Sequence, residues 1–456
     1  MTSRVRFPTR ISWLVVRVSA FAFAFLFAGC ERKFADLETS GIELIEPDAS
    51  VVHAEPVVTV RIKQLSGDSI TRVDLGAFPM IFDPISDTWV AEITMNRALN
   101  RLVVRSYDEI DPPKLDTIDL FHMPFEVTTA GSRLRLGLGG HTMTPMPGGG
   151  VLATGGSQST TGLAQDRALL LPSIRDDSFT EVAASMLEAR VGHSATLVND
   201  GRIIILGGGS SAQINSVNEL VEPAEMYIIE DGLFVPLQVD GDPIRRMYHT
   251  ALYRDSPQGP IVELIGGTGD ILYTPEPLLG TRADIRSFLL RNDTLLALSP
   301  AVGPFIERLS GHTQVELADN RFGEAGLYLV SGLGGGPPDV PVSVFVDFRS
   351  PLGIFVDPAP PSLIPRSLHA ATRMGFGIVG LFGGIDLRNG EVLTEAELYD
   401  HEIATSFTLQ QGVGLLFMGR YSHTASVVAP NVVMFAGGYD ESGNAVDRVE
   451  FLTFSF

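Results

Sequence analysis

Six histidines, His141, His193, His249, His312, His369 and His423, recur at intervals of 52, 56, 63, 57 and 54 residues. Histidine binds metals and titrates near neutrality, so the series first suggests a metal centre or acid–base catalysis. The spacing argues against both. One histidine per repeat, always at the same place in the repeat, puts the six around a ring, whereas a metal needs its ligands around one shared ion. No metal and no cofactor is therefore expected, and the histidines read as packing residues whose ring nitrogens satisfy backbone groups where repeats meet. Arginines three residues earlier (Arg190, Arg246, Arg366, Arg420) read the same way. Three have a matching acid, Glu225, Glu397 or Glu450, and buried charges in proteins are nearly always paired.

Each histidine is followed by small residues, a short turn, an apolar run and, in every copy but the fourth, a glycine pair, among them Gly207-Gly208, Gly266-Gly267, Gly383-Gly384 and Gly437-Gly438. The pair tolerates positive φ and lets a neighbouring backbone approach where a Cβ would clash. Repeats of roughly 50 residues, each a small sheet unable to bury both faces, are the signature of a propeller. Four strands are readable per copy: in the second, 193–198, 202–206, 224–229 and 232–238. The last copy runs out after its third strand, so a segment within 125–136 is expected to pair beside 448–456 and close the ring.

The combined pattern of Arg, His, small residues, apolar strand, Gly-Gly and Ala-Glu-x-Tyr resembles kelch repeats over 125–456. The expected fold is all-β, a six-bladed kelch-type β-propeller preceded by a small immunoglobulin-like β-sandwich. There are departures: Leu138 replaces the arginine of the first copy, Arg308 stands one position early in the fourth, and Ser331-Gly332 replaces the glycine pair there. No tryptophan occupies the region, and Phe179, Phe234 and Phe407 are candidates for the space that kelch repeats usually give to one. Some kelch-like propellers resemble copper oxidases or sugar isomerases. The oxidase chemistry is excluded by resemblance, since its cofactor needs a cysteine inside the propeller and none is present.

The single cysteine, Cys30, lies elsewhere. Arg4, Arg6 and Arg10 precede an apolar stretch at 11–27, and Ala28-Gly29 stand directly before it, as at the end of an export signal. Arg17 and the short apolar run argue against a permanent transmembrane helix. The arrangement resembles the bacterial lipobox, which implies a signal peptide at 1–29 and a lipid on Cys30. Glu31 after the cysteine implies outer-membrane delivery. Residues 30–40 read as a tether. From 41 to 123, short alternating segments such as 57–62 and 101–106, separated by turns, read as the sandwich. The stretch 100–108 resembles the penultimate strand of bacterial immunoglobulin-like domains. Asp108, Glu109 and Asp111 carry calcium-type oxygens but lack a glycine-punctuated ligand loop, and read as a solvated turn.

The formal charge of −21, from 33 Lys+Arg against 54 Asp+Glu, argues against nucleic acid as a partner. The connections between second and third strands are long and differ in every copy, and such loops on a rigid scaffold are where binding concentrates. Candidate binding residues are Asp270, Tyr273 and Glu276 in the third copy, and Tyr439, Asp440 and Glu441 in the sixth. The function read from the chain is a lipid-anchored envelope protein, not an enzyme, that binds protein or carbohydrate through loops on one propeller face. The alternative is a carbohydrate-active, isomerase-like enzyme with its site on the axis.

Overall fold

The computed structural model describes residues 41–65, 70–109, 112–174, 176, 178–198, 201–270, 279–282, 284–298, 309–317, 326–334, 342–349, 354–375, 377–409, 416 and 418–455. The leader, Cys30, the tether, Asp111, Tyr273, Glu276 and Arg308 lie outside these residues.

The first ten strands begin with β1 (Ile42–Glu46), β2 (Val52–His53), β3 (Val57–Gln64), β4 (Arg72–Leu75) and β5 (Phe78–Pro79). They continue with β6 (Ile81–Asp83), β7 (Thr88–Thr94), β8 (Leu99–Tyr107), β9 (Lys114–His122) and β10 (Phe125–Arg133). Two sheets form, ordered β1-β3-β7-β6 and β2-β9-β8-β4-β5. Alternation in the sequence decides which side chains face inward. Val60 and Ile62 of one sheet meet Val73, Val104, Ile118 and Leu120 of the other in a single core, with Trp89 at its edge. With no disulfide available, that apolar contact holds the sheets together.

The rest of the described chain forms six four-stranded antiparallel units. The second unit is Ser194–Val198, Arg202–Leu206, Ala224–Ile228 and Leu233–Asp240. Its inner strands are apolar runs buried on both faces (Ile203, Ile204, Ile205 and Leu206), as a sheet packed between two neighbours requires. Phe179, Phe234 and Phe407 are all buried. The sixth unit has three strands of its own, and β10 supplies the fourth: Phe125 pairs with Phe454 and Thr129 with Glu450, antiparallel. The two ends of the 125–456 region are thus laced into one sheet.

Two contacts depart from a plain array of separate modules. The outer strands of the second and third units pair in parallel, Gln238 with Thr294, merging the two into one eight-stranded sheet. The sandwich is also not a free spacer. Val51 bridges Thr408, the Thr408 amide donates to the Ser50 carbonyl at 2.9 Å, and Phe121 stacks on Phe407 at 4.7 Å. Val52, Phe121 and Met123 share a buried core with Phe382, Phe407 and Phe435 of the fifth and sixth units.

Candidate functional site at the axis of the six units

The residue before each histidine has a left-handed backbone. It is Gly140, Gly192, Tyr248, Gly311, Leu368 or Ser422, with φ between 50° and 66°. Three of the six are not glycine, and holding them there has a structural cause. The amide of each donates to the carbonyl of its counterpart in the preceding unit: Gly192 to Gly140 at 2.8 Å, Tyr248 to Gly192 at 2.7 Å and Gly311 to Tyr248 at 3.0 Å. The series continues with Leu368 to Gly311 at 2.7 Å and Ser422 to Leu368 at 2.7 Å, and Gly140 returns to Ser422 at 2.8 Å. Six units are thereby tied by one closed circuit of six backbone hydrogen bonds.

The glycine pairs let the units come this close. A Cβ on Gly207 would stand 2.3 Å from the Arg246 carbonyl oxygen and 2.8 Å from the His249 ring. The second glycine turns its amide to the next unit: Gly208 donates to the Arg246 carbonyl at 2.8 Å, and Gly384 to that of Arg420 at 2.9 Å.

All six histidines line one cavity of about 120 Å³, together with the six residues of the circuit. They therefore share a site rather than merely marking a ring. Four imidazoles bond the hydroxyl that follows the histidine of the preceding unit, and His141 and His312 also meet backbone groups, of Leu138 and Ile265. His193 Nε2 lies 3.1 Å from Thr142, His249 2.9 Å from Ser194, His312 3.0 Å from Thr250 and His369 2.8 Å from Thr313. The signal was visible as the small hydroxyl residue after five of the six histidines, but only packing shows that it serves the next unit.

The pattern fails on one arc. Ala370 stands where His423 would find its hydroxyl, and Thr424 donates at 3.4 Å to the Ala436 carbonyl. Among the described residues, His423 Nε2, His141 Nε2 and Ser422 Oγ find no hydrogen-bond partner. Burial drives all six imidazoles toward the neutral form, His141 to about 4 and His312 to about 3. Among the described residues, the cavity lining contains no carboxylate and no arginine. Among the described residues no group of three or more His, Cys, Asp or Glu could hold a metal ion.

The arginines stand behind this lining. Arg190 meets Glu225 at 2.6 Å, Arg366 meets Glu397 at 2.5 Å and Arg420 meets Glu450 at 2.6 Å, every side chain at most 1% exposed. Arg246 uses an acid that the sequence reading passed over, Asp284 at 3.0 Å, two positions before Arg286, the residue that stands in the register of Glu225 and Glu397. Burial opposes ionisation of Asp284, but Arg282 and Arg246 hold it down to about 2. Where Leu138 replaces arginine, Leu169 fills the acid's position, and the two share a core. In the fourth unit Leu309, also buried, takes the arginine's place. Carbonyl groups complete each charged site, Arg190 donating to Gly207 at 2.7 Å and Pro223 at 2.9 Å.

The candidate loop residues separate. Asp270 ends a short strand, Thr268–Asp270, that pairs with Leu279–Thr281. Asp440 accepts from the Ser442 and Asn444 amides at 2.9 Å each, shaping an exposed turn with Glu441 at its surface. Tyr439 requires a correction: it is 1% exposed, and its hydroxyl contacts Ser157 at 2.6 Å and the Gly139 carbonyl at 2.9 Å. Burial pushes its phenol up to about 12. It is a clasp between the sixth and first units, too enclosed to meet a ligand. Nor are the variable loops unconstrained. Thr160 donates to Gly443, Ala445 to Gln158, Ala164 to Ser210, and the Tyr248 hydroxyl to Ala212, knitting loops of the sixth, first and second units into one tier.

No family model matches the chain, and no curated protein is similar to it. Among solved structures it is similar to that of YjhT, with a TM-score of 0.51 and 14% identity, covering 71% of this chain and 99% of that one. It is also similar to a fungal alcohol oxidase of the AA5 family solved with copper, with a TM-score of 0.46 and 14% identity, covering 72% and 75%. The first likeness, with the all-β units described above, shows a β-propeller-like fold.

Proposed function

We propose that the six units are the blades of a closed kelch-type propeller, carried beside an immunoglobulin-like sandwich and lipid-anchored at Cys30 on the bacterial envelope, at the outer membrane. The propeller binds protein or carbohydrate through the loop face where the second-to-third connections emerge. The observation that carries this reading is the chemistry of the axis. The groups able to move protons there are six imidazoles held neutral, four of them committed to hydroxyls of the neighbouring unit. Acid–base catalysis asks for groups poised near the working pH and facing a substrate, and this lining favours a scaffold role. The loop tier above it offers carboxylates on short rigid turns, suited to sugar hydroxyls or basic protein surfaces.

The test is a glycan array followed by calorimetry on variants. Replacing Asp440–Asn444 by a Gly-Ser turn, with Tyr439 and Ala445 kept, should abolish binding of an array hit. Replacing the opposite turn around Ala429-Pro430 should leave it intact. The reverse pattern would put the site on the other face, and chemical conversion of the bound sugar would overturn the binding reading. Separately, Cys30→Ser should move the protein from the membrane fraction to the soluble one. Unchanged partitioning would remove the lipid anchor from the account.

A further inference from the structure

The far edge of the sandwich carries apolar side chains that no packing requirement explains. The chain crosses from one sheet to the other between β5 and β6, each the last strand of its sheet. The crossover buries Met80 and turns outward Phe78, 75% exposed, Ile81, 77%, and Phe82, 43%, with Ile85 at 96% on the next turn. Turn tips normally carry Gly, Asn, Asp or Ser. Here Asp83 builds the turn from inside: it accepts from the Ile85 amide at 3.0 Å and the Ser86 hydroxyl at 2.6 Å, and sits 3.7 Å from Arg61. The arrangement holds Ile85 out at the tip.

We propose that this edge, Phe78, Ile81, Phe82 and Ile85, docks into the surface of a lipid bilayer of zwitterionic headgroups, an inference that rests on the reading of Cys30 as the lipid anchor. Three observations select this occupant. Soluble proteins guard sheet edges with charges, yet residues 78–82 carry none and 78–87 contain no Lys or Arg, so anionic lipid is not what the edge attracts. Pro79 within β5 and Pro84 directly after β6 remove donors that a strand from another protein or a second copy would need. Residues 31–41 span at most about 35 Å, enough to let the sandwich reach the bilayer in which the lipid sits but not to leave it.

The topology gives the docking a consequence. In the sheet β2-β9-β8-β4-β5, β2 lies against the fifth propeller unit through the Val51–Thr408 bridge, and β5 lies four strand spacings away, about 19 Å. The shared core at β2 and β9 makes that a fixed distance. An edge seated in lipid therefore sets the direction of the propeller relative to the membrane.

The chain supplies its own reporter. Once 1–29 are removed, Trp89 is the one tryptophan left, and its ring centroid lies 5.1 Å from that of Phe82. The experiment uses residues 30–456 carrying Cys30→Ser, so that no lipid is attached, with phosphatidylcholine vesicles. Co-sedimentation is measured, together with quenching of Trp89 by brominated acyl chains. Binding with quenching is expected, falling about tenfold in Ile85→Asp and in Phe78→Ser while the melting temperature stays unchanged. Absence of vesicle binding overturns the proposal whatever Cys30 does in cells. A dimer by light scattering that Ile85→Asp dissolves, without quenching, also overturns it and gives the edge to a second copy. Because the assay omits the lipid, loss of the anchor reading appears only in the cellular fractionation of Cys30→Ser, and the two failures stay distinct.

Discussion

Removing one inter-unit hydroxyl should cost more than its size suggests, and adding the missing one should stabilise the ring. Ser194 Oγ lies 2.9 Å from His249 Nε2, with Ser194 8% and His249 5% exposed. Ser194→Ala takes away one oxygen, so the cavity it leaves is small. It also strands an imidazole nitrogen out of reach of solvent, at a cost of about 1–3 kcal/mol. Near the middle of that range the folded-to-unfolded ratio falls roughly thirtyfold. Ala370→Ser is the converse, since Ala370 holds the equivalent position and His423 Nε2 has no partner among the described residues. A serine there should return about 1 kcal/mol. Urea unfolding followed by circular dichroism reads both, with the slope unchanged and the midpoint moving in opposite directions. If Ser194→Ala stays within about 0.5 kcal/mol of the parent and Ala370→Ser destabilises, these hydroxyls do not hold the units together.

Arg420→Leu should destabilise by about 3–5 kcal/mol, because the buried Glu450 would lose its 2.6 Å partner and keep only the longer contact to Arg448 at 3.6 Å. The double change Arg420→Leu, Glu450→Leu should recover much of that loss, as Leu138 and Leu169 already fill the equivalent places in the first unit; equal losses in single and double variants would refute the pairing argument. Acid should also weaken the ring. A histidine whose folded value is depressed leaves the unfolded chain binding more protons, so stability is fully present above 6.5 and falls as pH drops toward the folded value. For His141, with a folded value of about 4, the loss over that window is about 3 kcal/mol, and the other five add in the same direction. Chemical denaturation between pH 7 and pH 4.5 should show a steadily falling midpoint, whereas a flat profile would mean that the imidazoles reach solvent.

The repeat architecture was legible because it is local. His193, Gly207-Gly208 and the apolar run between them sit within one unit, so their spacing survives in the linear sequence. Closure by 125–133 was legible too, since an incomplete sixth unit implies a missing strand. What stayed hidden lies between units. The backbone circuit through Tyr248, Leu368 and Ser422 uses no particular side chain, and so leaves no residue-type signature. Tyr439 was read by its place in a variable loop, but its hydroxyl is claimed by Ser157 and Gly139, nearly 300 positions earlier in the chain. Asp284 was missed because it stands two positions before the register of the expected glutamate, which Arg286 occupies, although the arginine it serves was already marked.

The most direct measurement of the central claim, binding through the loop face of a scaffold closed at its axis, is a calorimetric titration of one array-identified glycan against two variants. Ser422→Ala alters the cavity arc that has unpartnered polar atoms, and replacement of Asp440–Asn444 alters the loop tier. The expected result is unchanged affinity in Ser422→Ala and loss of binding in the loop variant. Loss of binding in Ser422→Ala with an unaffected loop variant would contradict the account and move the function to the axis.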